Sequence, residues 1–434
     1  GRAYLHPMFG SVYPQHGPVN WTANALVLLA TTALLFFFFS ARLRRSEAWR
    51  ATVTPLASII GSGFLVITPL LAFTVGVWGV FAMAGLVGLA YLVGGTIRYN
   101  IHYLENHEAD GAHRRGDRVM TAMEQAGKLS LAVAYVVAIT FYVELLGAFL
   151  MRGADIQSAV WQKGLATALL LFIGIFGWWR GLRILEGFEK IAVNVKLAII
   201  GGLLVALAWY NGALAIAGDW ALPQLRTDWS LTTLRELLGA FLVIQGFETS
   251  RYLGGAYSAP MRIRTMRYAQ WCSGAVYLLF AALATVLYGR FDTISETSII
   301  DLSQVVAVSL PWLLILGAAM SQFGAAIADT IGSGGLVDEA TGGRIPPSLT
   351  YPAVAASAIA LMWVADIFEV ISLASRAFAL FYAVQCAIAT IIAWRRKDRP
   401  RHAWYAAGFA LLTLAMLAVA AFGIPAEAQN GNGG

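Results

Sequence analysis

The chain is a succession of apolar runs, each long enough to cross a lipid bilayer, and this constrains its fold more than any motif does. A helix needs about 20 mostly apolar residues to span the hydrocarbon. Such runs lie near residues 22–40, 53–75, 77–97, 128–151, 158–178, 190–210, 231–257, 268–288, 306–335, 350–366, 369–393 and 403–423, which predicts about twelve spans. In lipid every backbone N–H and C=O has to be paired within the protein, so helices are the spanning element for runs of this length. Composition agrees. Of 434 residues, 59% are hydrophobic and 12% are Asp, Glu, Lys or Arg, where a soluble domain carries roughly 25% charged residues. Too little polar side chain exists to cover a soluble enzyme, and a disordered or fibrous chain is excluded as well. The predicted fold class is an all-α integral membrane protein whose surplus apolar surface faces lipid.

The net charge of +6 would suggest a nucleic-acid partner on a soluble protein. Here it reads as loop charge, and no nucleic acid is expected. The first run is followed by Arg42, Arg44, Arg45 and Arg50 and preceded only by Arg2. A signal peptide carries its positive region in front, so this run is a retained helix with its N-terminus outside. Alternating from there, 21 of the 30 Lys and Arg fall in inner stretches and six in outer ones: Arg2, Arg152, Lys163, Arg226, Arg235 and Arg290. That bias follows the positive-inside rule. It predicts both termini outside and a bacterial inner (plasma) membrane location. Cys272 and Cys386 sit in apolar runs and read as buried thiols, with no disulfide framework.

Two runs are interrupted. The second holds Ser58-Ile59-Ile60-Gly61-Ser62-Gly63-Phe64, followed by Pro69. The seventh holds Val243-Ile244-Gln245-Gly246-Phe247-Glu248-Thr249, followed by Gly254-Gly255. Unwound backbone at membrane depth has to line a cavity or be covered by protein. Interruptions at matching places in two halves point to inverted repeats with a site near the midplane. With the first helix set aside, each break falls in the first helix of a group of five. An odd repeat length places the two groups in opposite orientation. The expected division is residues 1–50 (outer segment, extra helix and basic loop), 51–210 (first repeat), 211–394 (second repeat) and 395–434 (last helix and tail). Glycine also serves close helix packing in membranes, and that reading of Gly61 and Gly63 stays open.

At these residues the chain resembles the amino acid–polyamine–organocation transporter superfamily, with its leucine-transporter-type fold. Members often carry a Gly-Ser-Gly run after an Ile in the first repeat helix, as in Ile60-Gly61-Ser62-Gly63-Phe64, and a stretch ending Gly-Phe-Glu in the sixth, as in Gly246-Phe247-Glu248. Residues 321–329 (SQFGAAIAD), leading into 338–346 (DEATGGRIP), resemble the family's eighth helix and the turn after it. The resemblance covers about residues 50–394. It departs from the family in having one helix before the ten repeat helices and one after, where two after are usual.

The resemblance implies a substrate between the two breaks. Free N–H groups and a positive half-helix end around Ser62, Gly63 and Phe64 would suit a carboxylate. Free carbonyls around Ile244, Gln245 and Gly246 would suit an ammonium group. The candidate binding residues are therefore Ile60, Gly61, Ser62, Gly63, Phe64, Ile244, Gln245, Gly246, Phe247 and Glu248, with Phe247 a gate by likeness or a packing residue.

A charge at the bilayer centre costs roughly 2.5–3.5 kcal/mol or more and is a functional candidate by default. Glu144, Lys196, Glu248, Arg251, Asp329 and Arg376 qualify. Some family members hold a lysine at the place of Lys196, where sodium-coupled relatives hold a sodium ion, which makes Lys196, Asp329 and Glu144 candidates for proton coupling. Lys196 also reads as a lysine snorkelling to the surface, and Arg251 as a counterion for Glu248. The His and carboxylate residues of 102–113 are irregularly spaced and read as a solvated loop, so no metal is expected. No nucleotide loop, metalloprotease helix or catalytic triad pattern is present, which points away from an enzyme and towards a secondary transporter without a cofactor. Its expected partners are a small-molecule substrate (an amino acid or amine), a proton or other coupling ion, and membrane lipid, with an oligomer or partner subunit left open. The alternatives are a carrier of inorganic cations or organic amines on the same fold, and a non-transporting subunit or sensor. A periplasmic-active phosphatase reporter fused after Pro425 is expected to be active and one fused after Arg396 inactive; the opposite pattern would invert the topology.

Overall fold

The computed structural model describes residues 21–61, 63–109, 118–156, 158–182, 186–225, 229–253, 256–290, 297–396 and 400–425. Among these residues the chain is helical, without strands. In order the helices are α1 (Trp21–Phe38), α2 (Ala41–Arg45), α3 (Glu47–Ile59), α4 (Gly63–Thr74), α5 (Gly79–Ala109), α6 (Arg118–Gly153), α7 (Ala159–Arg180), α8 (Glu186–Ala217), α9 (Leu231–Gly239), α10 (Ala259–Ala284), α11 (Ser298–Val306), α12 (Leu310–Ala340), α13 (Pro347–Val364), α14 (Ile367–Arg395) and α15 (Pro400–Phe422). Short 3-10 segments lie at Phe241–Ile244 and Phe247–Leu253.

Ten of the described helices are long and apolar enough to cross a membrane, and α3 with α4, bent by 40°, makes an eleventh. The stretch expected as a twelfth, 231–257, contains no continuous helix. It is the nine-residue α9 followed by the two 3-10 pieces. A run that reads as one apolar span is thus divided by the glycine within it.

The packing places α6 at the centre. Of its apolar window 78% is buried, against 11% for α1 and 17% for α15. Helix α6 packs along α12, α7 along α13 and α5 along α10, while α12 meets α8 as α6 meets α14. Each of these contacts maps onto itself or another when α3/α4 to α8 are exchanged in order for the broken stretch, α10, α12, α13 and α14. A two-fold relation between two groups of five produces that pattern.

The flanking helices are held by small residues and caps. Helix α1 lies on α8, where Gly201 and Gly202 leave room for Leu34 and Thr31. Asn24 Oδ1 on α1 accepts from the Ser309 N–H at 2.9 Å. The last carbonyls of α15 accept from arginines: Ala420 O from Arg376 Nε at 2.7 Å and Phe422 O from Arg235 Nε at 3.0 Å. A helix C-terminus leaves such carbonyls unpaired and carries partial negative charge, so cations there stabilise it. Three expectations change. Arg98 and Arg262, counted above as inner-loop charges, lie within helices and are buried. Cys272 is exposed on α10 rather than buried, and only Cys386 is enclosed.

The two breaks cross in contact. A Cβ at Gly63 would sit 2.6 Å from Val243 Cβ and 2.9 Å from its carbonyl oxygen. Gly246 adopts φ +118°, and a Cβ there would sit 2.6 Å from Ser58 Cβ and 2.8 Å from the Ile59 nitrogen. Only glycine enters that conformation without strain of about 1–3 kcal/mol, and only glycine fits the space. Replacing Gly246 with Ala is therefore expected to lower the apparent melting temperature clearly, whereas Gly408→Ala, which meets nothing within 4 Å, leaves it unchanged in the same thermal-unfolding assay.

Candidate functional site

The site forms where the two breaks face α6, α8, α10, α12 and α14. Tyr277 on α10 ties the breaks together. Its hydroxyl donates to Ile59 O at 2.9 Å and to Val243 O at 2.5 Å. One proton is thus shared between carbonyls of both interrupted helices, the groups that unwinding leaves without a helical partner. Phe64, just after the first break, stacks on Phe280 with centroids 4.3 Å apart and meets Tyr277 edge-on.

At the second break Glu248 is 1% exposed. Its Oε2 accepts from the Gly246 N–H at 2.9 Å and from the Tyr382 hydroxyl at 2.6 Å. Its Oε1 makes no hydrogen bond, nor does Gln245 Oε1. Phe247 is fully buried and stacks on the Tyr382 ring, centroids 5.1 Å apart. It is packed against α14 rather than free. Tyr142 on α6 engages the side chains of both Gln245 and Asp329.

Lys196 does not reach the surface. It is 6% exposed and donates to Ala57 O at 2.8 Å, at the end of α3. A cation at a half-helix C-terminus meets the negative end of its dipole. Lys196 lines a cavity of about 20 Å³ with Ser58, Tyr142, Ser321 and Asp329. A second cavity of about 20 Å³ lies on its other side, against Gly61, Phe64 and Ser321. Such volumes hold about one water or a bare ion and are too small for an amino acid, so this conformation is closed around the breaks.

The structure thus brings Gly61, Gly63, Phe64, Ile244, Gln245, Gly246, Phe247, Glu248, Lys196 and Asp329 into one region, with Ile60 fully buried beside them. Ser62 lies outside the described residues, as do Gly254, Gly255 and, apart from its start, the side chains of the 102–113 loop. Glu144 is elsewhere. It points to α7, where its Oε1 lies 3.8 Å from Lys163 Nζ, and that ammonium donates to Met362 O and Ala365 O at the end of α13. Arg251 is not placed as a counterion of Glu248. It pairs with Glu124 at 3.2 Å and hydrogen-bonds Gln385, which also accepts from Asn100. Arg376 is taken by the end of α15. Tyr142, Tyr277, Ser321 and Tyr382 were not anticipated as site residues. Each lies in an apolar run, where a hydroxyl needs a buried partner, and for the three tyrosines that was the only signal; Ser321 also opens the 321–329 stretch.

Comparison with known proteins places the chain in a family and a fold. A family described as APC superfamily transporter matches residues 41–423. The chain belongs to the APC superfamily of transporters. It is 42% identical over 377 residues to an uncharacterized protein of Aquifex aeolicus (strain VF5), covering 86% of this chain and 91% of that one. Crystal structures of two mutants of a manganese transporter of Eremococcus coleocola superpose with TM-scores of 0.52 and 0.51, at 11% and 12% identity, over 86% of this chain and 89% of theirs. At that identity the likeness is one of fold. Among the described residues of this APC-superfamily chain, no three His, Cys, Asp or Glu side chains lie together as a metal site.

Removing the Tyr277 hydroxyl leaves two buried carbonyls without their donor. Each unsatisfied buried group costs about 1–3 kcal/mol. Tyr277→Phe is expected to lower the melting temperature measurably while the ring still packs on Phe64; an unchanged melting temperature would mean that the shared hydroxyl holds nothing.

Proposed function

We propose that this protein is a secondary active transporter of amino acids or related amines, working by alternating access around the two broken helices and coupled to protons. The coupling group is Lys196, with Asp329 across the same cavity. The two five-helix repeats are residues 51–210 and 211–394, and the protein sits in the bacterial inner membrane with both termini outside. One observation carries the reading: a buried ammonium, on α8, bound to the last turn of the half-helix that ends at the first break. While protonated, Lys196 holds α3 against α8 through Ala57 O. Loss of its proton weakens that hold, which gives the proton a direct mechanical effect on the break. A buried lysine is suited to the task because burial readily moves its proton affinity.

A second reading is supported by the small cavities beside Lys196, which match a bare ion in size: a carrier of inorganic cations on the same fold. Purified protein in proteoliposomes separates the readings. Amino acids or amines are expected to accumulate under an imposed proton gradient, and Lys196→Ala is expected to abolish gradient-driven accumulation while sparing downhill exchange. Gradient-driven uptake that survives in Lys196→Ala removes its role. If nothing moves under a proton or sodium gradient, the fold serves a non-transporting subunit or sensor instead.

A further inference from the structure

We infer that the seam between α5 and α10 binds the headgroup of an anionic glycerophospholipid, its phosphate held by Arg98 and Arg267. The site lies outside the cargo path, so the inference goes beyond the transporter reading and is tested independently of it. Four observations lead to it.

The first is a buried guanidinium without a counter-charge. Arg98 is 7% exposed and lies within the apolar stretch Gly76–Leu104. Its partners are neutral: the Gln270 side-chain oxygen, the Tyr91 carbonyl oxygen at 3.3 Å, and the Tyr91 ring, whose centroid is 4.8 Å from the guanidinium carbon. Among the described residues it forms no ion pair with a carboxylate. Gln270 is itself committed, its nitrogen donating to Ala90 O at 2.9 Å. A guanidinium carries five N–H donors and no acceptor, and these groups engage two of them. A charge left uncompensated within a span is costly.

The second is a like charge beside it. Arg267 on α10 lies within electrostatic reach of Arg98. It is exposed, and among the described residues it has no ion-pair partner either. One enclosed and one open guanidinium repel each other unless an anion joins them. A phosphate accepts from both, and arginine forks match its geometry.

The third is the frame. The Tyr91 ring stacks on Trp271, centroids 6.5 Å apart, and Trp271 meets Tyr268 at 6.1 Å. Trp271 and Tyr268 are exposed. Exposed Trp and Tyr on a spanning helix sit at headgroup level, and basic pockets between helices at that level take lipid headgroups. On the topology proposed above this is the inner end of both helices, the side of the anionic leaflet.

The fourth is access. Gly94 leaves the room that Gln270 fills. At Gly95 a Cβ would meet a single atom within 4 Å, Arg98 Nη2 at 3.5 Å, so the absent side chain leaves the guanidinium uncovered on that side. A lipid phosphate reaches it from the bilayer, past the exposed Trp271. A zwitterionic headgroup would bring a third cation to two already present. Tyr91 and Gln270 also line the cavity that Ile59 and Ile244 enter from the two breaks, so a headgroup here lies one layer of side chains from the centre.

The test is a thermal-shift titration of the purified protein in detergent with phosphatidylglycerol, phosphatidylcholine or inorganic phosphate. A ligand that binds the folded state alone raises the apparent melting temperature. Phosphatidylglycerol is expected to raise it by roughly 2 °C or more, with no shift from phosphatidylcholine or inorganic phosphate. Arg267→Gln is expected to weaken phosphatidylglycerol binding about fivefold or more, and Arg98→Gln at least as much. Arg344→Gln, which removes an equal charge from the exposed turn between α12 and α13, leaves binding unchanged. Arg267 is exposed, so its variant keeps the fold, and the unliganded melting temperatures report whether Arg98→Gln does. No shift with phosphatidylglycerol, an equal shift with phosphatidylcholine, or inorganic phosphate matching the lipid overturns the inference. So does unchanged phosphatidylglycerol affinity in a folded Arg267→Gln, or an equal loss in Arg344→Gln. Each of these results leaves the transporter reading standing.

Discussion

The contact between two interrupted helices holds this protein together at its centre. Unwound backbone is costly in a bilayer, because each unpaired N–H or C=O forfeits several kcal/mol with no water to replace the bond. Here the breaks cover each other. Gly63 admits the Val243 backbone and Gly246 admits Ser58, so each gap in one helix is filled by the other. The neighbours then supply what helix geometry no longer does. Tyr277 serves carbonyls of both breaks, Lys196 serves Ala57 O, and Glu248 takes the Gly246 N–H. The helices bearing these groups have to surround the breaks. That requirement accounts for the buried α6 and α12 at the centre and for the lipid-facing α1 and α15 at the edge.

Polar links away from the centre close the molecule on both sides of it. Arg251, Glu124, Gln385 and Asn100 join the second break to α5, α6 and α14. Arg152 at the end of α6 bonds Asp301 on α11. Arg235 binds α9, the leading half of the second break, to the end of α15. Each link joins an element of the broken pair, or one beside it, to a helix outside the pair. Alternating access requires one set to part while the other holds. The Arg152–Asp301 pair is partly exposed, and an exposed ion pair contributes only about 0–1 kcal/mol, so that link is a small barrier to opening.

Much of this was legible in the sequence, for identifiable reasons. Lipid admits so few backbone solutions that run length alone predicts helices, and the scarcity of charge within the runs made Lys196, Glu248 and Asp329 stand out. Both breaks were visible as glycines, with Gly246 now explained by its positive φ and Gly63 by the backbone it faces. The partners were not legible, because they depend on which helices meet. Arg251 follows Glu248 by three residues, a spacing that shares a face in a 3-10 turn, yet its guanidinium pairs with Glu124 far away in sequence. Glu144 was a coupling candidate beside Lys196 and Asp329 and sits against Lys163 instead, on the side of α6 that faces α7. Tyr142, Tyr277 and Tyr382 were hidden for a different reason. A tyrosine counts as apolar in a hydropathy run, and its hydroxyl becomes informative only when the atom it reaches is known. The span at 231–257 was counted as one helix because hydropathy records burial and not winding.

The central claim is that the two touching breaks have to separate for cargo to pass. Ile59 and Ile244 line one cavity beside Tyr277, one on each break, which makes them a place to forbid that separation. In a Cys272→Ser background, Ile59→Cys with Ile244→Cys can be oxidised to a cross-link and uptake of whichever solute the unmodified protein accumulates measured before and after reduction. Uptake is expected to stop when the cross-link forms and to return when it is reduced. Full uptake through a fully cross-linked protein would contradict the account.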